Sequence, residues 1–251
     1  MGDIFESFFG GGGRSSARET AARVAAGSIA RKMLQDLANT EFLAWVSDVG
    51  NISSNISLDE VTQEAIEESP VRCPDKTASA KMEKEIADAK MNKDSVGGIV
   101  TLLIKNVPAC LGEPAFDRTE ALLAQAMLSI PATKGFEIGS GFSAAKMRGS
   151  EHNDIPVYQN GKFSTKTNFA GGTLGGITNG ENILCRIAFK PTATIAKEQP
   201  TVNKLGESGV LAARGRHDPC VAVRAPVIVE SMAALVLADL YLRNRARQNL
   251  F

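Results

Sequence analysis

The stretch GGGGRSSARETAARVAAGSIARKMLQDL, residues 10–37, decides how this chain begins to fold. Its glycines allow the backbone to approach a ligand closely, and Ser16 with Glu19 three residues later is typical of a capping box. Exposed amides at a helix start favour anions, and Arg14 and Arg18 add bidentate donors. Two interpretations stay open on spacing alone: an anion-binding loop, or a flexible glycine tail before an ordinary capped helix.

The segment after the glycines is rich in alanine and predicts a helix over residues 16–37. Larger apolar residues recur in it at near-helical spacing, namely Val24, Ile29, Met33 and Leu37. Gly27 has no side chain and permits the close approach of a neighbour. We therefore expect this helix to pack through a face of small residues.

Composition and charge exclude several classes of protein. With 251 residues, 43% of them hydrophobic, the chain can bury the core of one large domain or two small ones. Lys+Arg and Asp+Glu each number 28, so no excess positive charge attracts nucleic acid or an anionic membrane. The most apolar segment, residues 227–242, contains Glu230 and Asp239, which predicts a buried helix rather than a membrane span.

The cysteine and histidine residues limit which metal sites, disulfides and proton-transfer steps the chain can provide. The four cysteines have no CxxC spacing, so the sequence suggests neither a metal site nor a disulfide framework. No secretory signal is visible, and we expect a reducing, cytoplasmic compartment. The two histidines, His152 and His217, limit how much proton transfer imidazole can perform.

Strands and helices alternate along the rest of the chain. The sequence predicts strands at 41–50 and 99–107, and a strand in 181–195 that runs into a Lys-Pro-Thr loop. Helices are predicted at 59–69, 76–91, 116–129 and about 226–248. The helices at 59–69 and 76–91 carry charges of alternating sign, so we expect solvated faces and no binding site in them.

Three glycine-containing or cationic elements look able to converge on one ligand: Arg14-Ser15-Ser16, the 171–180 loop with Lys190-Pro191-Thr192, and residues 215–219. Each pairs a permissive backbone with donors suited to phosphate. Taken alone, residues 216–218 also fit an ordinary turn, with Asp218 capping a local amide and Arg216 paired on the surface. Together the elements suggest a small phosphorylated or carboxylated ligand in a cleft.

The order of the longer motifs resembles the chorismate synthase family. The matching segments extend from Gly11 to the C-terminal region and are GGGRSSARETAARVAAGSIA (11–30), SVGGIV (95–100), SIPATKGFEIGSGF (129–142), EHND (151–154), GGTLGGITNGE (171–181), IAFKPTATI (187–195) and GRHDPCVAVRAP (215–226). Several long motifs in order form a far more specific signal than one glycine motif.

The resemblance implies an α+β fold, the family's β-α-β sandwich, incomplete at the N-terminus. It also implies a flavoprotein lyase of the shikimate pathway, which leads to aromatic amino acids. Such an enzyme converts 5-enolpyruvylshikimate 3-phosphate to chorismate and phosphate by a 1,4-anti elimination, with reduced FMN as cofactor, and NADPH is a possible reductant. A cytoplasmic homotetramer is expected; plastid import in a plant-type host stays open, although no transit peptide is visible.

The resemblance also assigns roles to single residues. Asp218 matches the family aspartate that assists proton handling at flavin N5, and Arg18 matches a substrate contact. The positions that match FMN contacts are Arg14, Ser15, Ser16, Pro131, Ala132, Gly175, Lys190, Pro191, Thr192, Ala193, Thr194 and Arg216. His152 is interpreted as structural and His217 as an orienting residue.

The N-terminal region departs from the family pattern. Residues 1–13 are rich in glycine and phenylalanine and do not resemble the family, so we expect the partial chorismate synthase domain to be 14–251. The family's GESHG-type and SHAD-type histidines and its arginine-rich stretch are not found in this sequence. We expect a gene fragment of reduced stability whose run 99–107 is exposed or repacked. The alternative function is a catalytically impaired fragment, or a flavin- or anion-binding protein.

Overall fold

The computed structural model describes residues 17–159, 161–213, 215 and 217–248. Helices and strands both make up much of this part of the chain, so the predicted α+β class is confirmed. The α-helices in the described ranges are α1 (Thr20–Ala38), α2 (Gln63–Glu68), α3 (Lys76–Met91), α4 (Thr119–Leu128), α5 (Gly149–His152) and α6 (Pro226–Gln248). None of these helices is long and apolar enough to cross a membrane.

The strands are β1 (Glu41–Val49), β2 (Ile52–Ser53), β3 (Gly98–Lys105), β4 (Thr133–Ile138), β5 (Pro156–Gln159), β6 (Lys162–Thr165), β7 (Thr173–Leu174), β8 (Ile177–Thr178), β9 (Ile183–Phe189), β10 (Gln199–Val202) and β11 (Ser208–Leu211). Five strands form one sheet in the order β2-β1-β3-β9-β4. The pairs β5-β6, β7-β8 and β10-β11 form separate two-stranded sheets.

The chain divides into two compact units. The first unit comprises the described residues up to 44, residues 101–187 and those from 226 onward; the second comprises 45–100 and 188–225. The strands β1, β3 and β9 contribute residues to both units.

Strand β3 lies in the middle of the five-stranded sheet, between β1 and β9. Val100, Leu102 and Ile104 are 0% exposed, and Leu103 is 1% exposed. Burial of consecutive residues means that both faces of the strand are covered. The expected exposure of the run 99–107 is therefore wrong, because this strand has a partner at each edge and buries its side chains on both faces.

Most predicted element bounds agree with the structure. Helices α3 and α6 have the predicted bounds, and β1 ends one residue before the predicted strand. The predicted helix at 116–129 begins instead as a 3-10 turn, Ala115–Asp117, before α4. The predicted helix at 59–69 is a 3-10 turn, Leu58–Glu60, followed by the shorter α2.

Helices α1 and α6 pack against each other within the first unit. A Cβ atom on Gly27 would lie 2.4 Å from Ser231 Cβ, so only glycine allows this approach, as predicted. Ala30 and Leu34 are also buried, whereas Ile29 and Leu37 are exposed. The face of α1 in contact is therefore the small-residue face, and of the larger residues predicted with it, Val24 and Met33 are only half-buried.

The start of α1 and the buried end of this helix pair are held by carboxylates. Glu19 pairs with Arg23, with 2.9 Å between Oε1 and Nη2; its predicted capping partner, Ser16, lies outside the described residues. Glu230 of α6 is buried and accepts hydrogen bonds from Arg31 Nη1 at 2.5 Å and from the Ala44 amide at 2.9 Å. Several donors thus compensate the burial of this carboxylate.

Candidate functional site

In the second unit, residues 95–98 contact two of the sequence motifs, IAFKPTATI and GRHDPCVAVRAP. We call residues 95–98 the junction segment. Ser95 Oγ donates a hydrogen bond to Thr192 O at 2.7 Å, and Thr192 Oγ1 donates to Asp218 O at 2.9 Å. The Val96 amide donates to Pro219 O at 2.8 Å. The junction segment therefore fixes the backbone of both the KPT loop (residues 190–194) and the HDP turn (residues 217–219).

The two glycines of the junction segment are required by close backbone approaches. A Cβ atom on Gly97 would lie 2.7 Å from Phe189 O and 3.1 Å from Pro191 Cδ. A Cβ atom on Gly98 would lie 2.6 Å from Asp48 O and 2.9 Å from Ala222 Cβ. A side chain at either position would push the neighbouring loops apart, because real Cβ atoms do not approach other atoms this closely.

Among the described residues, Arg224 forms an ion pair with the side chain of Asp218. Its Oδ2 atom lies 2.8 Å from Arg224 Nε, and the Asp218 and Arg224 side chains are 28% and 71% exposed. Arg224 ends a 3-10 helix, Val221–Arg224, directly before α6. A single guanidinium nitrogen thus holds one carboxylate oxygen in a partly open environment.

His217 precedes Asp218 and is half-buried. Its Nε2 atom lies 3.3 Å from Ala213 O. A carbonyl oxygen can only accept, so Nε2 must carry the proton in this hydrogen bond, and Nδ1 of a neutral ring is then an acceptor. This contact supports the predicted orienting role of His217.

The second unit contains a pocket of about 510 Å³, which is lined by Lys90, His217, Asp218, Pro219 and Arg224. This volume lies in the range of small-molecule sites, and the lining combines a carboxylate, an imidazole and two cations. Lys90 belongs to the last turn of α3, where the sequence predicted a solvated face without a binding site. The exposed side chain of Lys90 agrees with the solvated face predicted for α3, and the fold places the end of this helix beside the HDP turn.

The remaining residues of the KPT loop are more exposed. Lys190, Pro191 and Ala193 are exposed, whereas Thr192 and Thr194 are half-buried. Through Thr192 the structure brings this loop together with Asp218. Exposed residues beside a half-buried hydroxyl leave side chains and amides available to an incoming ligand.

The other predicted site residues fall into two groups. Arg18, Pro131, Ala132 and Gly175 belong to the first unit, where Ala132 has φ 71° and Gly175 has φ 61°. Positive φ is unusual for alanine and places Ala132 in a tight turn directly after α4 and Pro131. Arg14, Ser15, Ser16 and Arg216 lie outside the described residues.

A second histidine–aspartate motif, EHND, builds a loop of the first unit. The carboxylate of Asp154 accepts hydrogen bonds from Thr167 Oγ1 at 2.7 Å, the Phe169 amide at 2.8 Å and the Ala170 amide at 2.9 Å. Burial raises its pKa, but hydrogen bonds from Ala170, Thr167 and Phe169 and the charge of His152 outweigh that effect and leave the pKa below its usual value.

His152 is held in the same loop region. Its Nε2 atom lies 2.9 Å from Ser140 Oγ, and its ring centroid lies 5.9 Å from that of Phe169. Ser140 Oγ also donates to Phe169 O at 3.1 Å. The hydroxyl and ring contacts hold the imidazole within this loop, which agrees with the structural interpretation of His152.

Comparison with known proteins identifies the family. The family model described as chorismate synthase matches residues 5–242. The chain belongs to the chorismate synthase family. It is 55% identical over 238 residues to the chorismate synthase of Gloeothece citriformis (strain PCC 7424), a match covering 94% of this chain and 66% of that protein. It is 52% identical over 239 residues to the chorismate synthase of Prochlorococcus marinus (strain MIT 9312), with the same coverage.

A solved structure supports the same assignment. A crystal structure of chorismate synthase superimposes with a TM-score of 0.76 at 32% identity and covers 92% of this chain. This chain spans 66% of the length of the curated chorismate synthases above and 65% of the crystallised one. The predicted resemblance to the chorismate synthase family is thus confirmed.

The pocket of the second unit fits part of the flavin mononucleotide that the chorismate synthase family implies. Flavin mononucleotide carries a phosphate, which guanidinium and ammonium groups bind, and a polar ring edge, which carboxylate and imidazole groups can contact. Lys90 supplies the first kind of group, and Asp218 and His217 supply the second.

Proposed function

We propose that this chain acts as a chorismate synthase, a carbon–oxygen lyase that eliminates phosphate from 5-enolpyruvylshikimate 3-phosphate in a 1,4-anti sense to give chorismate. The observation that carries the proposal is the Asp218 carboxylate on the wall of a pocket whose backbone is tied to the KPT loop. Family membership supplies the reaction class.

We assign the proton-handling role to Asp218. Its Oδ2 atom pairs with Arg224, so Oδ1 is the atom that we assign to hold or move a proton. The Thr192 hydroxyl fixes the carbonyl of the same residue, which keeps the backbone from drifting when the side chain acts. His217 orients this turn through its contact with Ala213 O.

Reduced FMN, when bound, supplies a transient electron and an acceptor position beside the reacting carbon, and it is not consumed. The cationic and hydroxyl groups of this chain hold the cofactor and exclude water from it. The residues that we propose for cofactor binding are Arg14, Ser15, Ser16, Pro131, Ala132, Gly175, Lys190, Pro191, Thr192, Ala193, Thr194 and Arg216. We propose Arg18 as a contact to the anionic substrate.

Further properties are proposed from family membership. We propose a homotetramer, a cytoplasmic location, NADPH as the source of electrons for the flavin, and a domain that starts at residue 14. Light scattering of the purified chain tests the tetramer, and a mass near 26.6 kDa, that of a single chain, would contradict it.

One titration series tests the proposed function. FMN is added to the protein under anaerobic conditions, with and without 5-enolpyruvylshikimate 3-phosphate, and its absorption spectrum is followed; the reduced sample is then assayed for chorismate and phosphate. We expect a perturbed flavin spectrum, tighter flavin binding with substrate, and turnover. Binding without turnover would support the alternative of a flavin-binding protein, and absence of flavin binding by the folded protein would overturn the site assignment.

A further inference from the structure

Arg224 forms an ion pair with the carboxylate of the pocket, Asp218. Its Nε atom lies 2.8 Å from Asp218 Oδ2, and both residues line the pocket. The sequence resemblance assigned no role to Arg224, although this residue lies in the matching segment GRHDPCVAVRAP, six residues beyond Asp218. The tertiary fold gives it a partner that the proposed function depends on.

The backbone at both ends of this pair is fixed by contacts within the second unit. Asp218 O accepts from Thr192 Oγ1, and Pro219 O accepts from the Val96 amide. Arg224 ends a 3-10 helix whose Ala222 Cβ would lie 2.9 Å from a Cβ on Gly98. With the main chain held at these points, the chief remaining freedom lies in the two side chains.

The carboxylate of Asp218 needs a partner to keep one orientation. Its side chain is 28% exposed, and water alone would allow it to sample several staggered rotamers. An ion pair with a guanidinium favours the rotamer that reaches it, although exposure to water and salt weakens the pair. A ligand that covers the pocket displaces water, and the lower local dielectric then strengthens the same pair.

We propose that Arg224 is a positioning residue, which holds the Asp218 carboxylate in the single orientation from which it serves the pocket. The functional part of this inference rests on the proposed role of Asp218, whereas the orientation itself can be measured without any ligand. Arg224 is assigned to act through Asp218.

The ligand-free experiment uses the isotopically labelled full chain. Three-bond couplings across χ1 of Asp218 report its rotamers, and the Arg224 Nε–H resonance reports the ion pair. We expect one dominant rotamer in the starting protein, averaged couplings in Arg224→Gln, and partial recovery in Arg224→Lys, which keeps the charge but loses the planar donor. Asp218→Asn should shift the Arg224 Nε–H resonance, which gives a second view of the pair.

Lys90→Gln is the matched control, because it removes one positive charge from the same pocket without removing the 2.8 Å contact. We expect it to leave the Asp218 couplings unchanged. Arg224 is 71% exposed, so its replacement should not unfold the protein, and a thermal melt of each variant checks this. Unchanged Asp218 couplings in folded Arg224→Gln would overturn the proposal, as would equal averaging in Lys90→Gln.

The functional readout follows in the anaerobic assay. Arg224→Gln should lower kcat about tenfold with little change in KM, because a misoriented group slows the reaction more than it weakens binding. The double variant with Asp218→Asn should be no slower than Asp218→Asn alone, since both act through one carboxylate. Additive losses would overturn the positioning role. If the starting protein binds no flavin, the proposed function fails, and the couplings still decide whether Arg224 orients Asp218.

Discussion

Two histidine–aspartate motifs of similar sequence have different surroundings in this protein. In EHND, the carboxylate of Asp154 accepts hydrogen bonds from one hydroxyl and two amides of a single loop. In HDP, the carboxylate of Asp218 pairs with Arg224 and lines a pocket. The first carboxylate is used to build its loop, whereas the second keeps capacity for a ligand or a proton. Among the described residues, the carboxylate with several protein donors belongs to the loop it builds, and the carboxylate paired with one guanidinium lines the pocket.

The histidines of the two motifs follow the same division. His152 contacts the Ser140 hydroxyl and the ring of Phe169. His217 has a longer contact to Ala213 O and lines the pocket beside Asp218. Variants in the two motifs should therefore differ in what they change: stability for EHND, and ligand binding or rate for HDP.

The largest expected effect is the loss of rate in Asp218→Asn. An amide has a similar shape but cannot take up the proton, so we expect the turnover of bound substrate to fall by about 100-fold or more. The thermal midpoint should change little, because the Asp218 side chain forms one partly exposed ion pair. Single-turnover chorismate formation under anaerobic conditions measures the effect.

Asp154→Asn is the matched control for this experiment. It makes the same chemical change in the other motif, and its turnover per folded molecule should stay close to that of the starting protein. An equal loss of rate in the two variants would show that the division between the motifs is wrong.

The next largest effect concerns stability, in Asp154→Ala. This variant leaves the Thr167 hydroxyl and the Phe169 and Ala170 amides without their acceptor, at a cost of about 2–4 kcal/mol in the free energy of unfolding. Urea denaturation measures it. Asp36→Ala is the control, because Asp36 forms an exposed pair with Lys32 and should cost less than about 0.5 kcal/mol. Equal costs in the two variants would contradict the structural role of Asp154.

The stability that Asp154 contributes should also depend on pH. The pKa of Asp154 is lower in the folded protein than its ordinary value, so the ionised form stabilises the fold. This contribution is complete above the unfolded pKa of about 4 and is lost as the pH falls through that value towards the folded pKa. Urea midpoints measured across this acidic range should therefore converge for Asp154→Ala and the starting protein; a constant difference would contradict this.

The sequence predicts much of the fold where the deciding interactions are local. The N-terminal proline of α6 and the charged, regular composition of α3 set their bounds, which agree with the structure. The small-residue contact face of α1 was predicted correctly from Gly27, but the recurring larger residues do not all lie on it, since Ile29 and Leu37 are exposed. Their near-helical spacing carries no signal of this, because the close approach to Ser231 selects small residues.

The candidate site was predictable only as far as its motifs are continuous in sequence. The KPT loop and Asp218 were expected to converge, and the hydrogen bond from Thr192 to Asp218 joins them. Lys90 and Arg224 were missed as members of the pocket, since their place depends on how α3 and the 3-10 turn before α6 meet the HDP turn. A cation on an exposed helix carries no local signal of such a neighbour.

The smallest expected effect compares one threonine from each motif region. Thr192→Val removes the donor to Asp218 O, and Thr167→Val removes a donor to the Asp154 carboxylate. Losing a hydrogen bond to a neutral carbonyl should cost about 1 kcal/mol of unfolding free energy, and losing one to a charged carboxylate about 1.5–3 kcal/mol. For FMN affinity the order should be reversed, with the larger loss in Thr192→Val.

We expect Thr192→Val to weaken FMN binding by a few fold, because its hydroxyl fixes the backbone beside the pocket, and Thr167→Val to leave it unchanged. Parallel urea denaturation and flavin titration of the two proteins measure both quantities. Valine keeps the shape of threonine, so a difference between the variants arises from the hydroxyl and its acceptor. If the less stable variant also bound FMN more weakly, overall stability would explain the binding, and the pocket would need no contribution from the Thr192 hydrogen bond.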